Sequence, residues 1–220
     1  MTEPRTAAAD PHRGQPVLSA GRDIADARGV MILSHGRGAT AEGILQLAAA
    51  LDHDGFAYFA PQAAGNTWYP QSFLAPIEQN EPFLSSALAF LARVVEHVLG
   101  TGTPPERLML LGFSQGACLT SEFTARNPRR YGGIAALTGG LIGPDGTPRE
   151  YSGSLDGTPV FLGSADPDFH IPVKRVDETE RVFTGMGASV TKRIYPGMGH
   201  TVNDDELDHV RAMMARVAGS

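Results

Sequence analysis

The sequence contains little of what disulfide-rich, thiolate-metal and nucleic-acid-binding proteins require. Cys118 is the single cysteine among 220 residues, which excludes an internal disulfide and a metal site built from several thiolates. Lysine and arginine together number 18 against 24 acidic residues, for a net charge of -6, and the basic residues do not cluster. We therefore expect neither nucleic acid nor an anionic membrane surface as a partner.

Long apolar runs are also scarce. Residues 1–14 are small, polar and proline-containing, and they lack the apolar stretch of a signal peptide. No later segment is expected to reach the apolar length of a membrane span. We therefore expect a disordered leader over residues 1–14 and one domain over residues 15–220, in a cytoplasmic protein without integral membrane association. Whether the chain forms a homodimer stays open.

Short apolar runs alternate with longer segments of helical period along the chain. Continuous apolar runs of this length are typical of strands that are buried on both faces. Their alternation with helices predicts a mostly parallel central sheet with helices on both faces, in a single α/β domain. The expected strands are 30–33, 56–60, 108–111, 134–137, 160–162 and 190–195, and the expected helices are 42–52, 83–99, 115–126, 173–186 and 204–217.

Gly112, Ser114 and Gly116 form a G-x-S-x-G motif between a predicted strand and a predicted helix. This pattern is typical of a nucleophile elbow, in which a sharp turn exposes the serine hydroxyl and leaves no room for side chains at the flanking positions. A glycine-flanked serine in an ordinary strand–helix turn is the alternative. We take Ser114 as the candidate nucleophile.

A serine nucleophile needs a base, and the base needs an acid to orient it. His200 lies in a glycine-rich loop after the last predicted strand, where it can reach back over the sheet edge. Asp166 follows the strand before that and is the candidate acid, with Asp168 as the rival. The order serine, acid, histidine is the order that this type of fold uses.

The negative charge that develops on a substrate oxygen needs two fixed backbone donors. We expect them to be the amides of Gln115, which follows the nucleophile, and of Arg37, in a His-Gly-Arg-Gly loop after the first clear strand. His35 is expected to support that loop. Cys118 lies one turn into the helix and is interpreted as a buried packing residue.

Four segments, 34–38, 112–116, 163–166 and 197–200, together resemble the phospholipase/carboxylesterase family of α/β-hydrolases, which includes the acyl-protein thioesterases. The resemblance covers nearly the whole chain. It implies the α/β-hydrolase fold, a catalytic triad of Ser114, Asp166 and His200, no cofactor and no metal. It also implies small-molecule carboxylic ester or thioester substrates.

Two departures from the thioesterase pattern favour the bacterial carboxylesterase branch, with short or medium acyl groups. Ala39–Thr40 stands where the thioesterases usually carry an aspartate, and Trp68–Tyr69–Pro70 stands where they tend to carry Trp-Phe-Asp. A thioesterase, a lysophospholipase, an acyltransferase and a catalytically silent binding protein remain alternatives. The expected pocket residues lie in the irregular connection 62–82 and after the acid, and they are Trp68, Tyr69, Phe73, Leu74 and His170.

Overall fold

The computed structural model describes residues 10–219 of the chain. Within that range the strands are β1 (Val17–Gly21), β2 (Gly29–Ser34), β3 (Phe56–Pro61), β4 (Leu108–Phe113), β5 (Gly133–Leu137), β6 (Pro159–Asp166) and β7 (Ser189–Pro196). The α-helices are α1 (Ala41–Leu51), α2 (Phe83–Gly100), α3 (Gln115–Arg126), α4 (Val173–Gly185) and α5 (Asp204–Ala218). The predicted strands and helices are all present, with ends that differ by a few residues.

The strands form one sheet in the order β1-β3-β2-β4-β5-β6-β7. Every neighbouring pair is parallel except β1 and β3, which are antiparallel. The predicted fold class, a mostly parallel sheet with helices on both faces, is confirmed. The edge strand β1 was not expected, because its residues are largely exposed and lack the apolar run that marks the inner strands.

Two apolar clusters lie on opposite faces of this sheet. On one face α2, α3 and α4 contribute buried side chains such as Leu91, Phe123 and Val176. On the other face α1 and α5 contribute Ile44 and Val210. Because helices cover both faces, the inner strands are almost entirely buried, and the apolar runs in the sequence follow from that burial.

The parallel register aligns the carboxyl ends of the inner strands at one edge of the sheet. Ser34 at the end of β2 pairs with Gly112 near the end of β4, and Leu137 at the end of β5 pairs with Gly163 of β6. The loops after β2, β4, β6 and β7 therefore meet at the same edge. This is where open α/β sheets bind their ligands.

The helix α2 is long and apolar enough, by length and composition, to cross a membrane, with a mean hydropathy of 1.4 over 18 residues. The expectation that no segment reaches that length is therefore wrong. Leu84, Leu91 and Val95 of α2 are nevertheless buried in the apolar cluster beneath the sheet. By these contacts α2 is a core helix of the domain.

Residues 10–14 are ordered, although a disordered leader was expected to include them. Residues 1–9 lie outside the described residues, but residues 10–14 form a turn against the domain, and the side chain of His12 is fully buried. The backbone amide of His12 donates to Ser86 Oγ of α2 at 2.9 Å. The prediction of a disordered leader is therefore wrong for residues 10–14, because a buried polar contact fixes them.

Candidate active site

Ser114 lies between β4 and α3 in a backbone conformation that few side chains adopt, with φ 55° and ψ -119°. Its amide donates to the carbonyl of Leu137 at 3.0 Å, which fixes the turn. A Cβ atom at Gly112 would overlap the backbone of Gly116, and one at Gly116 would overlap the carbonyl of Ser34. The two glycines therefore allow the close contact that the elbow requires, and the strain at Ser114 is typical of a functional turn.

His200 is the neighbour of the Ser114 hydroxyl. It follows β7, and its Nε2 lies 2.8 Å from Ser114 Oγ. Asn203 is the N-cap residue of α5, and its Nδ2 donates to the sulfur of Met198. The loop that carries His200 is therefore fixed to the start of α5.

Asp168, and not Asp166, contacts His200. The Oδ2 atom of Asp168 lies 2.8 Å from His200 Nδ1, and the Asp168 carboxylate is fully buried. Asp166 is exposed at the end of β6, where it pairs with Pro196 and accepts the amide of Gly197 through its carbonyl. The expectation for Asp166 is corrected for this reason: β6 continues through it, and the chain turns toward His200 only afterwards.

The Asp168 carboxylate is held in its charged form. Burial alone would raise the pKa of Asp168, but hydrogen bonds from His200 and from the amides of His170 and Ile171 outweigh burial and lower that pKa. Because a carboxylate only accepts hydrogen bonds, Nδ1 of His200 carries the proton. Its Nε2 is then free to accept the proton of the Ser114 hydroxyl.

Two aromatic rings contact the imidazole of His200. The ring of Phe113 lies 5.3 Å from it between centroids, tilted by 47°, and the ring of His170 lies 4.8 Å from it in an edge-on arrangement. His170, expected at the pocket rim, lines the cavity described below. The base is therefore oriented by ring contacts as well as by the Asp168 carboxylate.

The loop after β2 lies directly beside the elbow. A Cβ atom at Gly36 would sit 3.4 Å from the Cβ of Ser114. Arg37 is the next residue of this loop, and Gln115 is the first residue of α3, where a backbone N–H has no acceptor within the helix. Arg37 and Gln115 both line the cavity that contains Ser114, and the assignment of their backbone amides to an oxyanion hole stays a prediction.

His35 lies beneath this loop as a neutral, buried side chain. Its Nδ1 donates to the carbonyl of Gly36 at 2.8 Å, and its Nε2 accepts the amide of Ala63 at 3.1 Å. Burial lowers the pKa of His35, so the ring stays neutral and can both donate and accept. The ring therefore connects the loop after β2 to the connection 62–82.

A cavity of about 420 Å³ opens at Ser114 and His200. Among the expected pocket residues, Tyr69, Phe73 and His170 line this cavity, whereas Trp68 and Leu74 do not. Its remaining lining residues are Arg37, Pro70, Gln71, Ser72, Gln115, Cys118 and Ile171.

Trp68 is a buried support of the cavity wall. Its side chain is fully buried, and the indole Nε1 donates to the carbonyl of His35 at 2.8 Å. The rings of His12 and His35 lie 5.6 Å and 4.9 Å from it. The expectation that Trp68 lines the pocket is corrected because the indole packs beneath the loop, and Leu74 lies instead in a separate depression beside Arg175.

Three side chains hold the connection 62–82 in place, a role that was not expected from the sequence. Gln115 accepts the amide of Trp68 through Oε1 at 2.9 Å and donates from Nε2 to the carbonyl of Tyr69 at 2.8 Å. Arg37 donates to the carbonyl of Pro70 at 2.8 Å, and His12 contacts the carbonyl of Trp68 at 2.9 Å. No local motif marks these contacts, since each joins residues more than 30 positions apart.

Cys118 lies at the cavity but behaves as a buried thiol. Burial raises the pKa of Cys118 to about 12, so the thiol is neutral near pH 7 and a weak nucleophile. Within residues 10–219, no group of three or more histidine, cysteine, aspartate or glutamate side chains could hold a metal ion.

A sequence model of the family described as Phospholipase/Carboxylesterase matches residues 19–217 of the chain. Among solved structures, a phospholipase/carboxylesterase from Dyadobacter fermentans is 44% identical, with a TM-score of 0.88. That comparison covers 91% of this chain and 96% of the other.

Curated relatives include two fungal proteins named acyl-protein thioesterase 1. The protein from Saccharomyces cerevisiae is 27% identical over 220 residues, which covers 90% of this chain and 96% of the relative. The protein from Gibberella zeae is 27% identical over 136 residues, and that match spans only about half of its length, 55%. The chain is thus similar to proteins that carry both carboxylesterase and thioesterase names.

Proposed function

This chain is an α/β-hydrolase of the phospholipase/carboxylesterase family, and from that premise we propose that it is a serine carboxylesterase acting on short- to medium-chain carboxylic esters. The observation that carries the proposal is the continuous hydrogen-bonded series from Ser114 Oγ through His200 to Asp168, with 2.8 Å at each step. In this arrangement a base accepts from the hydroxyl of a serine whose backbone is strained, and a buried carboxylate orients the base.

In the first half of the proposed reaction, Ser114 Oγ attacks the ester carbonyl carbon while His200 Nε2 takes the hydroxyl proton. The Asp168 carboxylate stabilises the imidazolium that forms. The amides of Arg37 and Gln115 donate to the oxyanion of the tetrahedral intermediate. The carbon–oxygen bond to the alcohol then breaks, the alcohol oxygen takes the proton from His200, and an acyl group remains on Ser114.

In the second half, water replaces the alcohol. His200 Nε2 takes a proton from the water as its oxygen attacks the acyl carbon, and the same two amides stabilise the second oxyanion. The bond between the acyl carbon and Ser114 Oγ breaks, and the proton returns to Ser114. The products are one carboxylic acid and one alcohol for each ester and water consumed, so no cofactor is required.

The dimensions of the cavity favour small esters. Its volume of about 420 Å³ lies near the lower end of the range of roughly 300–1,000 Å³ for small-molecule sites. Tyr69, Phe73 and Ile171 supply the apolar part of its wall. A short acyl chain can be buried there, whereas a long lipid chain would extend beyond it.

The direct test is release of p-nitrophenol from acetate, butyrate, octanoate and palmitate esters. We expect the highest kcat/KM with acetate or butyrate, loss of activity in Ser114→Ala, and normal activity in the control Ser19→Ala, whose side chain is exposed on β1. Activity that survives in Ser114→Ala would refute the assignment of the nucleophile. Highest activity on palmitate would refute the chain-length assignment.

A second candidate uses the same triad: the names of the fungal relatives support an acyl-protein thioesterase, and the family description supports a lysophospholipase. It is distinguished by rates on an ester, a thioester and a lysophospholipid of equal chain length. We expect the ester to have the highest kcat/KM relative to its rate of alkaline hydrolysis. A preference for the thioester or the lysophospholipid would establish the second candidate. The cytoplasmic location and small-molecule partners expected from the sequence belong to the same proposal.

A further inference from the structure

Among residues 10–219, the wall of the cavity carries one permanent charge, and that charge is positive. Within that range its lining contains Arg37 but no aspartate or glutamate. The Asp168 carboxylate lies behind His200 and is fully buried. Burial raises the pKa of Cys118 to about 12 and that of Tyr69 well above its usual value, so both groups are neutral. The charged side chain on the lining is thus a cation, in a protein of net charge -6.

The Arg37 guanidinium is fixed in place before any ligand arrives. Its Nη1 donates to the carbonyl of Pro70 at 2.8 Å and its Nη2 to the carbonyl of Gln71 at 2.5 Å. The group also lies 5.9 Å from the centre of the Tyr69 ring. A guanidinium has five N–H donors, so two bonds to carbonyls leave donors for a ligand. A fixed cation binds an anion with little further loss of side-chain entropy.

We propose that the cavity accepts esters that carry a second, ionised carboxylate, and that the Arg37 guanidinium binds this carboxylate while Ser114 attacks the ester group. The inference rests on the proposed esterase function of Ser114 and adds a substrate class to it. Arginine suits this role because its planar donors match the two oxygens of a carboxylate. The second carboxylate belongs either to the acid portion or to the alcohol portion of the ester.

The experiment compares ester pairs that differ only in this charge. For the acid portion the pair is monomethyl succinate and methyl succinamate, and for the alcohol portion it is acetoxyacetate and acetoxyacetamide. A pH-stat follows the acid that is released, and each kcat/KM is divided by the rate of alkaline hydrolysis of that ester. We expect an anionic-to-neutral ratio of about ten or more in at least one pair, since hydrogen bonds to charged groups contribute this much.

The anionic-to-neutral ratio is then measured in variants of Arg37 and, for the wild type, at several NaCl concentrations. In Arg37→Gln it should fall at least fivefold toward one, Arg37→Lys should retain part of it, and rising NaCl should lower it in the wild type. Arg181→Gln is the matched control, because Arg181 is exposed on α4 and lies outside the cavity lining. The ratio cancels any general loss of activity in the Arg37 variants.

Each outcome either supports or overturns the inference that Arg37 binds a second carboxylate. Ratios near or below one in both wild-type pairs overturn the inference, and so does a ratio that Arg37→Gln leaves unchanged. If Arg37→Gln does not fold, the wild-type ratio and its salt dependence still test the claim. If the neutral esters are hydrolysed and this hydrolysis requires Ser114, the proposed esterase function stands even if the carboxylate preference fails.

Discussion

The Asp168 carboxylate reaches His200 across 32 residues of sequence, with Oδ2 at 2.8 Å from Nδ1. Its other oxygen accepts the amides of His170 and Ile171, at 2.7 Å and 3.0 Å. One side chain therefore shapes the loop after β6 and orients the base. The acid position is fixed by the loop as a whole, and this explains why the end of the strand does not supply it.

Replacement of this carboxylate is the first prediction. Asp168→Asn should lower kcat by about 10³- to 10⁴-fold, because an amide in place of the carboxylate favours the wrong tautomer of His200. Asp166→Asn, the matched control two residues away, should stay within a few-fold of wild type. Steady-state kinetics on p-nitrophenyl butyrate measures both variants. A large loss in Asp166→Asn with little loss in Asp168→Asn would reverse the assignment.

Most of the fold could be predicted from the sequence, whereas the choice between Asp166 and Asp168 could not. The inner strands are apolar on both faces because helices cover both faces, so local composition identifies them. The strand β1 is exposed and carries no such signal. The acid depends on where β6 ends and the chain turns, and that is set by pairing with β7.

The pocket wall was predicted less well because residues that are distant in the sequence hold it in place. Trp68 and Tyr69 look equivalent as neighbouring aromatic residues, yet only Tyr69 lines the cavity. The bonds to Trp68 that decide this come from Gln115 and His12, 47 and 56 positions away. Local sequence contains no signal for such contacts. The sequence therefore identifies these residues as pocket candidates without showing which of them line the cavity.

The second prediction concerns the Gln115 side chain. Gln115→Met should lower the free energy of unfolding by about 1–3 kcal/mol, because it leaves the amide of Trp68 and the carbonyl of Tyr69 buried without partners. It should also lower kcat/KM, since the cavity wall loses its support. Gln46→Met on the exposed side of α1 is the control. Urea denaturation and ester kinetics test it, and a stability equal to that of the control would contradict it.

The third prediction concerns the glycine that lets the elbow approach β2. Gly116→Ala should destabilise the protein by about 1–3 kcal/mol or more, because the added methyl group would overlap the carbonyl of Ser34. Gly185→Ala at the end of α4 meets no atom within 4 Å and should be neutral or slightly stabilising. Thermal denaturation of both variants provides the measurement. Equal melting temperatures would argue against close packing at the elbow.

The fourth prediction follows from the buried carboxyl of Glu206 in the cap of α5. Burial raises its pKa to about 7, partly opposed by the hydrogen bond from the amide of Asn203. Because this pKa lies above the value of about 4.5 in the unfolded chain, the folded state binds the proton more tightly. The stability that protonated Glu206 contributes is fully present below about pH 4.5 and is lost as the pH rises to about 7.

The variant Glu206→Gln should therefore gain stability relative to wild type as the pH rises from 5 to 8.5, on the order of 1–3 kcal/mol. Urea denaturation at several pH values measures the difference between the two curves. Glu42→Gln, exposed in the first turn of α1, is the control. A difference that stays constant with pH would show that Glu206 does not titrate in this way.

The central claim is that Ser114, activated by His200, forms a covalent acyl-enzyme, and the most direct measurement is to trap that step. The enzyme is incubated with a p-nitrophenyl phosphonate, which mimics the tetrahedral intermediate, and the modified peptide is identified by mass spectrometry. We predict one adduct per chain, located on Ser114, with equimolar p-nitrophenol release and far slower labelling in His200→Ala. An adduct on another residue, or no adduct in a preparation that hydrolyses esters, would contradict the account.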